Sequence, residues 1–263
     1  MSNTILDTIA QYAAERVKEA KKRVPLSEIK ACALREKLDT GFPLEAALEK
    51  EGMSFLCECK RASPSKGVIA EEFPYLQIAK EYEAAGAAAI SVLTEPKWFL
   101  GSNEILKEIS AAVSTPCLRK DFTVDDYMIY EAKTLGAAAV LLICSLLNET
   151  TLKRYLALCD ELGLSALVEA HNEQEIRTAV KAGARVIGVN NRNLKDFTVD
   201  IHNSVRLRRL APENVLFVAE SGIQTAADIQ ALSQAKVNGV LIGETLMRAA
   251  DKKAMLANLR GTL

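Results

Sequence analysis

Short apolar runs bounded by polar or turn-forming residues recur along the whole chain, at 55–59, 88–93, 116–120, 138–144, 165–169, 186–190, 215–220 and 239–243. Their length and content of Val, Ile and Leu predict buried strands. The segments between them carry helical spacing, as at Ile78, Tyr82 and Ala85 or at Ile176, Ala179, Val180 and Ala182. The runs begin 21 to 33 residues apart, room for one strand, one helix and two short loops. A weak repeat marks the return from helix to strand: Ala85-Gly86-Ala87, Leu135-Gly136-Ala137 and Ala182-Gly183-Ala184, with Asn238-Gly239 expected to serve likewise. Glycine there accepts the left-handed conformation that ends a helix. A helix between every pair of strands forces a parallel sheet. Eight such units, with no G-x-G-x-x-G after the first strand, predict an α/β fold of one closed (β/α)8 barrel rather than an open doubly wound sheet.

Residues 1–50 fall outside the repeat. Ile5, Leu6, Ile9, Tyr12, Ala13 and Val17 form an apolar stripe at helical spacing, and a second helix is expected after Pro25-Leu26 with Ser27 as its cap. The preferred reading is a helical extension that closes one end of a barrel formed by residues 51–263; direct contact with a substrate is the less favoured one.

Composition narrows the function classes. The 263 residues hold 33 basic and 34 acidic side chains, a net charge of −1, which speaks against a nucleic-acid partner. Apolar residues make up 49% and aromatic ones only 5%, so the core must be built mainly from Ala, Val, Leu and Ile. The six cysteines include no C-x-x-C pair, and reduced, buried thiols in a cytoplasmic protein are the expectation. Charges throughout the first thirty residues argue against a signal peptide. The longest apolar run, 137–144, is far short of the roughly 20 residues that span a bilayer.

Side chains alternate along a strand, so Glu58 and Lys60 share one face and Cys57 and Cys59 the other. If the cysteines face the helices, Glu58 and Lys60 point into the barrel mouth. Lys120, Glu169, Asn190 and Glu220 fall at later strand ends on the same rim. Such a set is either a self-paired ion network or reserved for chemistry, and strand carboxyl ends in barrels usually carry chemistry. Lysines beside carboxylates suit proton donation and removal, with desolvation and ion pairing pulling the lysine pKa in opposite directions. Ser221-Gly222-Ile223 and Gly243-Glu244-Thr245 follow the last two strands, where barrels commonly cradle a phosphate, and Arg192 can add a charge-assisted bond. His171 shares the inward side with Glu169, as a supporting or packing residue rather than a metal ligand. Arg206, Arg208 and Arg209 read as the wet face of a helix.

The stretch Glu58-Cys59-Lys60-Arg61-Ala62-Ser63-Pro64-Ser65-Lys66-Gly67 resembles the E-x-K-R-x-S-P-S signature of indole-3-glycerol phosphate synthases. Further stations match in order: Thr94-Glu95, Phe99, Gly101-Ser102, Arg119-Lys120-Asp121-Phe122, Leu167 to His171, Asn190 to Leu194, Glu220 to Ile223, and Ile242-Gly243-Glu244. The resemblance covers essentially the whole chain. It implies closure of a pyrrole ring on 1-(2-carboxyphenylamino)-1-deoxy-D-ribulose 5-phosphate, with loss of carbon dioxide and water, and no metal or organic cofactor. It implies Lys120 as general acid, Glu169 as a catalytic carboxylate, and Lys60 and Glu58 as an acid and base of ring closure and dehydration. Asn190 and Ser221 would orient the substrate. Ser63, Arg192, Glu220, Gly222, Gly243 and Glu244 would surround its charged groups, and Phe99 and Phe122 would wall the anthranilate ring. The departures are Cys57 and Cys59 in place of more usual Ala and Ile, Leu100 where a polar residue is common, and Glu244 where some members carry Ser. A monomer is the expected state. The alternatives are another phosphosugar barrel enzyme, an isomerase or aldolase, and a non-catalytic phosphate-binding subunit; the combination of Glu58, Lys60, Lys120 and Glu169 argues against both.

Overall fold

The described residues form ten strands: β1 (Ser54–Cys59), β2 (Ala62–Ser63), β3 (Gly67–Val68), β4 (Ala89–Leu93), β5 (Cys117–Lys120), β6 (Ala139–Ile143), β7 (Ser165–Ala170), β8 (Val186–Asn190), β9 (Leu216–Glu220) and β10 (Gly239–Ile242). In the computed structural model, which describes residues 4–193 and 197–261, all but β2 and β3 pair in parallel and close a barrel in the order β1-β10-β9-β8-β7-β6-β5-β4. This is the (β/α)8 barrel that the spacing predicts. β2 and β3 form a small antiparallel hairpin just beyond β1. Strands this short carry no alternation, so the pattern of apolar residues had no means of showing them.

Alternation sorts the strand residues into two layers. Leu56, Leu118, Leu141, Leu167, Val218 and Leu241 pack inside the barrel. Cys57, Cys59, Ile90, Val92, Val140 and Val168 pack outward against the helices. With both faces buried the strands read as continuous apolar runs. Five cysteines are buried and Cys32 is partly exposed, all as free thiols. Burial pushes the Cys57 and Cys117 thiols up to about 12, which makes them packing groups rather than nucleophiles.

The extension contains α1 (Ile5–Arg23), α2 (Leu26–Ala33) and α3 (Pro43–Leu48). α1 starts in a capping box, with the Thr4 hydroxyl accepting from Asp7 N and the Asp7 carboxylate accepting from Thr4 N. α3 inserts Leu44 and Leu48 into the inner core at the amino-terminal end of the strands, where Leu48 lies against Gly239. α1 lies at the other end. Its Ile5, Leu6 and Ile9 line the cavity at the mouth, and its Arg16 pairs with Asp121 just past β5 at 2.7 Å. The extension therefore packs at both ends of the barrel and lines part of the cavity, rather than closing one end alone.

Three local expectations need correction. Ser27 does not cap α2, which begins at Leu26 behind Pro25 with no side-chain cap. Gly86, Gly136 and Gly183 do end helices in the left-handed region, but Gly239 does not; that conformation falls to Lys236, and Gly239 opens β10 where a Cβ would meet Leu48. Arg208 is buried rather than wet. Its Nε donates to Lys236 O at 2.9 Å, its Nη1 to Ala211 O at 3.0 Å, and its guanidinium lies over the Phe217 ring. Among the described residues no helix is long and apolar enough to cross a membrane.

Candidate active site

The carboxyl ends of the strands surround a cavity of about 760 Å³. The candidate catalytic and substrate-binding residues all line it: Glu58, Lys60, Ser63, Phe99, Lys120, Phe122, Glu169, Asn190, Arg192, Glu220, Ser221, Gly222, Gly243 and Glu244. They come from β1, β2, β5, β7, β8 and β9 and from the segments that follow β1, β4, β5, β8, β9 and β10, positions scattered over most of the chain. Strand parity and the common strand direction bring them together. Leu194, the last residue of one matching stretch, lies outside the described residues.

The floor of the cavity is an ion cluster. Lys60 Nζ lies 2.6 Å from Glu58 Oε2. Lys120 Nζ lies 3.5 Å from Glu220 Oε2, 3.7 Å from Glu169 Oε2 and 4.0 Å from Glu58 Oε1. Glu58, Glu169 and Glu220 are all buried. Burial alone would lower the Lys120 pKa, but the three carboxylates outweigh it and hold the ammonium protonated. Burial likewise works against ionisation of Glu58 and Glu169. Lys60 and Lys120 overcome it for Glu58; Lys120, His171 and Asn190 do so for Glu169, and both carboxyls end below their ordinary range. Glu220 goes the other way. Burial raises it, and the charges of Glu169 and Glu58 add to that against the pull of Lys120. Three carboxylates facing two ammonium groups leave one surplus negative charge, and Glu220 is where a proton is most easily taken up.

The two walls of the cavity differ in character. β4 and β5 are neighbours in the barrel, and across from them stand β8, β9 and β10. Beyond β4 and β5 the wall is apolar, with Leu93, Phe99 and Phe122, and α1 adds Ile5, Leu6 and Ile9. The Phe99 and Phe122 ring centroids are 6.2 Å apart. The Phe99 loop is held by Glu95, a buried carboxylate that accepts from the backbone N–H groups of Lys97, Trp98 and Phe99 at 2.9, 2.7 and 3.0 Å. Leu100 takes a left-handed φ of 54° and is exposed.

The opposite wall is polar. Ser221 follows β9 with a φ of 67°, costly for a residue with a Cβ, and Gly222 continues the same conformation. Gly243 is needed for close approach: a Cβ there would collide with Glu58 Oε2 and stand 2.8 Å from Lys60 Nζ. Arg192 N donates to Asn190 Oδ1 at 3.0 Å, tying the loop after β8 to the rim. The Glu244 carboxylate does not face the cavity unbalanced, since Arg248 Nε lies 3.1 Å and Lys66 Nζ 3.6 Å from it.

The cavity thus combines an apolar shelf, an ion cluster and a polar rim. The family model of indole-3-glycerol phosphate synthase matches residues 6–259. The chain belongs to the indole-3-glycerol phosphate synthase family. The protein of that name from Ruminiclostridium cellulolyticum is 56% identical over 98% of this chain and 99% of its own, and that from Lachnoclostridium phytofermentans 51% identical over 98% and 100%. A crystal structure of 3-hexulose-6-phosphate synthase superimposes with a TM-score of 0.66 at 15% identity, covering 80% of this chain and all of that one, a likeness of fold alone.

As a member of the family, the chain places its two unusual cysteines harmlessly, since Cys57 and Cys59 face the helices and not the cavity. Its cavity also holds residues the sequence reading passed over. Lys66 and Arg248 join the polar rim, and Ile5, Leu6 and Ile9 join the apolar wall. Arg248 carried a faint signal, four residues after Glu244 on one helix face. Lys66 was visible only as part of the 58–67 stretch.

Proposed function

We propose that the protein closes the pyrrole ring of 1-(2-carboxyphenylamino)-1-deoxy-D-ribulose 5-phosphate to give indole-3-glycerol phosphate, carbon dioxide and water, with Lys120 as the acid that begins the reaction. The observation that carries this reading is the protonated Lys120 ammonium, held among Glu58, Glu169 and Glu220 between an apolar shelf and a polar rim. The anthranilate ring lies against Phe99 and Phe122. The phosphate sits at Gly222, Gly243 and Arg192, and Ser63 with the rim cations meets the remaining negative charge. This sets the substrate across the barrel, with its ketone over the ion cluster.

The ring carbon bearing the carboxylate attacks the ketone carbon while Lys120 gives a proton to the ketone oxygen, making a hydroxyl. The new carbon–carbon bond leaves that ring carbon saturated and the ring cationic, a charge Glu169 stabilises. Loss of carbon dioxide returns the bonding pair and restores aromaticity. A second proton, from Lys60 or Lys120, turns the hydroxyl into departing water, and a carboxylate, Glu58 or Glu169, takes a proton from the carbon next to nitrogen. Two protons go in and one comes out, so solvent supplies the difference. Asn190, Glu220 and Ser221 orient the reacting chain. The steps need positioning, proton transfer and electrostatics.

Residues 1–50 act as an extension of a catalytic barrel formed by 51–263. The cavity is lined from within one chain, so a monomer suffices for activity, and the buried free thiols suit a cytoplasmic enzyme. The test is direct. Purified protein given the ribulose phosphate substrate, with no added metal or cofactor and with chelator present, is expected to produce the fluorescent indole product. Absence of turnover with an authenticated substrate would overturn the reading.

A further inference from the structure

Lys120 Nζ stands 3.7 Å from Oε2 of the Glu169 carboxylate. The other oxygen, Oε1, meets two further side chains. Asn190 Nδ2 donates to it at 3.4 Å, and His171 Nε2 stands 3.2 Å from it as an ion pair, not aligned as a hydrogen bond. His171 follows β7 directly, is mostly buried, and is not on the cavity wall. Its second ring nitrogen, Nδ1, is 3.1 Å from Glu175 Oε2, which also accepts from the His171 backbone N–H at 2.8 Å. Glu175 is itself anchored in the first turn of the helix Glu173–Ala182: its Oε1 accepts from Asn172 Nδ2 at 2.7 Å, and its N–H donates to Asn172 Oδ1 at 3.0 Å. A continuous line of contacts thus runs from a helix start through Glu175 and His171 to Glu169.

We propose that His171, backed by Glu175, is a positioning residue for Glu169: its imidazolium ties down Oε1 and so keeps Oε2 directed at Lys120 and the substrate. A neutral ring would present one nitrogen as an acceptor to one of the two carboxylates, and that contact would be repulsive. Burial works against a charged ring, but the carboxylates on either side outweigh it and push His171 up to about 10. The charged and polar groups facing Glu169 are His171 from its own loop, Lys120 from β5 and Asn190 from β8, with the carboxylates of Glu58 and Glu220 beyond. His171 is the cation that meets Glu169 at Oε1. The proposal rests on the reading of Glu169 as a catalytic carboxylate.

Two measurements test it, one independent of activity. Nitrogen-15 NMR of the ring nitrogens, with His171 told apart from His202 by substitution, is expected to show His171 doubly protonated at about pH 8, well above the ordinary histidine range. A neutral His171 ring there overturns the proposal whether or not the protein turns over substrate. In the turnover assay, H171A is expected to lower kcat about ten- to a hundredfold, the scale of a misplaced catalytic group, with KM within about twofold. The acid limb of its pH profile should move to higher pH, because Glu169 loses a cation. E175Q should shift both in the same direction by less. Unchanged kcat and acid limb in a folded H171A protein overturn the proposal, as does a loss of activity that follows only a fallen thermal midpoint. Failure of the wild-type protein to turn over substrate strikes the functional reading instead, leaving the ring-protonation result to decide the geometry.

Discussion

A buried lysine can serve as an acid only if something keeps its proton on until the substrate arrives. At Lys120 that is the work of three carboxylates at 3.5 to 4.0 Å, close enough to hold the charge and far enough to leave the ammonium hydrogens for an incoming ketone. K120A is expected to cut kcat by at least about a hundredfold, the usual worth of a general acid, while circular dichroism stays that of the wild type. Turnover near normal would remove Lys120 from the mechanism. Glu220 makes a different prediction. Its carboxyl is raised in the folded protein, so the folded state binds its proton more tightly than the unfolded chain does. That contribution is complete below the ordinary glutamate value of 4.5 and is lost as pH rises through the raised one. E220Q, which cannot ionise, should therefore gain thermal midpoint relative to the wild type as pH is raised between about 5 and 9, with activity reduced. A difference that stays flat with pH would show that Glu220 does not hold the surplus proton. These residues were legible because strand alternation puts every second side chain on one face. The direction of each pKa was not, because it depends on partners tens of residues away.

At the scale of elements, α1 is fastened to the barrel beside the chemistry. Arg16 donates through Nη1 and Nη2 to the two oxygens of Asp121 at 3.1 and 2.7 Å, and Asp121 also accepts from the Thr94 hydroxyl at 2.7 Å and from Phe122 N at 2.8 Å. Asp121 lies between Lys120 and Phe122 in sequence, so one carboxylate ties α1 to the proton donor and to the aromatic wall. Removing one partner of a buried pair leaves the other uncompensated; with Arg16 partly exposed, R16A should cost about 2 kcal/mol in urea unfolding. It should also raise KM more than it lowers kcat, because Ile5, Leu6 and Ile9 lose their hold on the cavity. An unchanged KM would mean that the helix only shields the barrel. Asp121 is depressed, its burial outweighed by Arg16 and Arg119, so this clamp acts above the ordinary aspartate value of 3.8 and weakens as pH falls below it. The stripe on α1 was plain in the sequence, but a stripe does not name its partner. The β2–β3 hairpin left no trace, being two residues a side.

Across the whole molecule, a net charge of −1 hides a strongly polarised cavity, with cations at Lys60, Lys120, Arg192 and, on the rim, Lys66 and Arg248. Such a rim should bind inorganic phosphate. Phosphate is expected to inhibit competitively, and R192A to weaken that inhibition together with substrate binding; noncompetitive inhibition would place the anion elsewhere. The barrel itself was readable because its period is local: a buried strand, a helix and a glycine turn repeat within about thirty residues, and each can be recognised without knowing the others. The same period sets which residues stand at strand ends, and so the part of the cavity lining that the strands supply. Arg208 shows the limit, since a charged residue on a helix looks solvated in sequence, whereas three carbonyls and an aromatic ring hold it in the fold. The closed alternating fold, the inward faces and the strand-end residues at the mouth are written in the order of amino acids, because they follow from backbone geometry and strand parity. Three-dimensional packing was needed to make α1 a wall of the cavity, to raise the Glu220 carboxyl and to set His171 between Glu169 and Glu175. Those outcomes depend on distances between elements far apart in the chain, and at such short range the balance of burial and charge turns on an ångström.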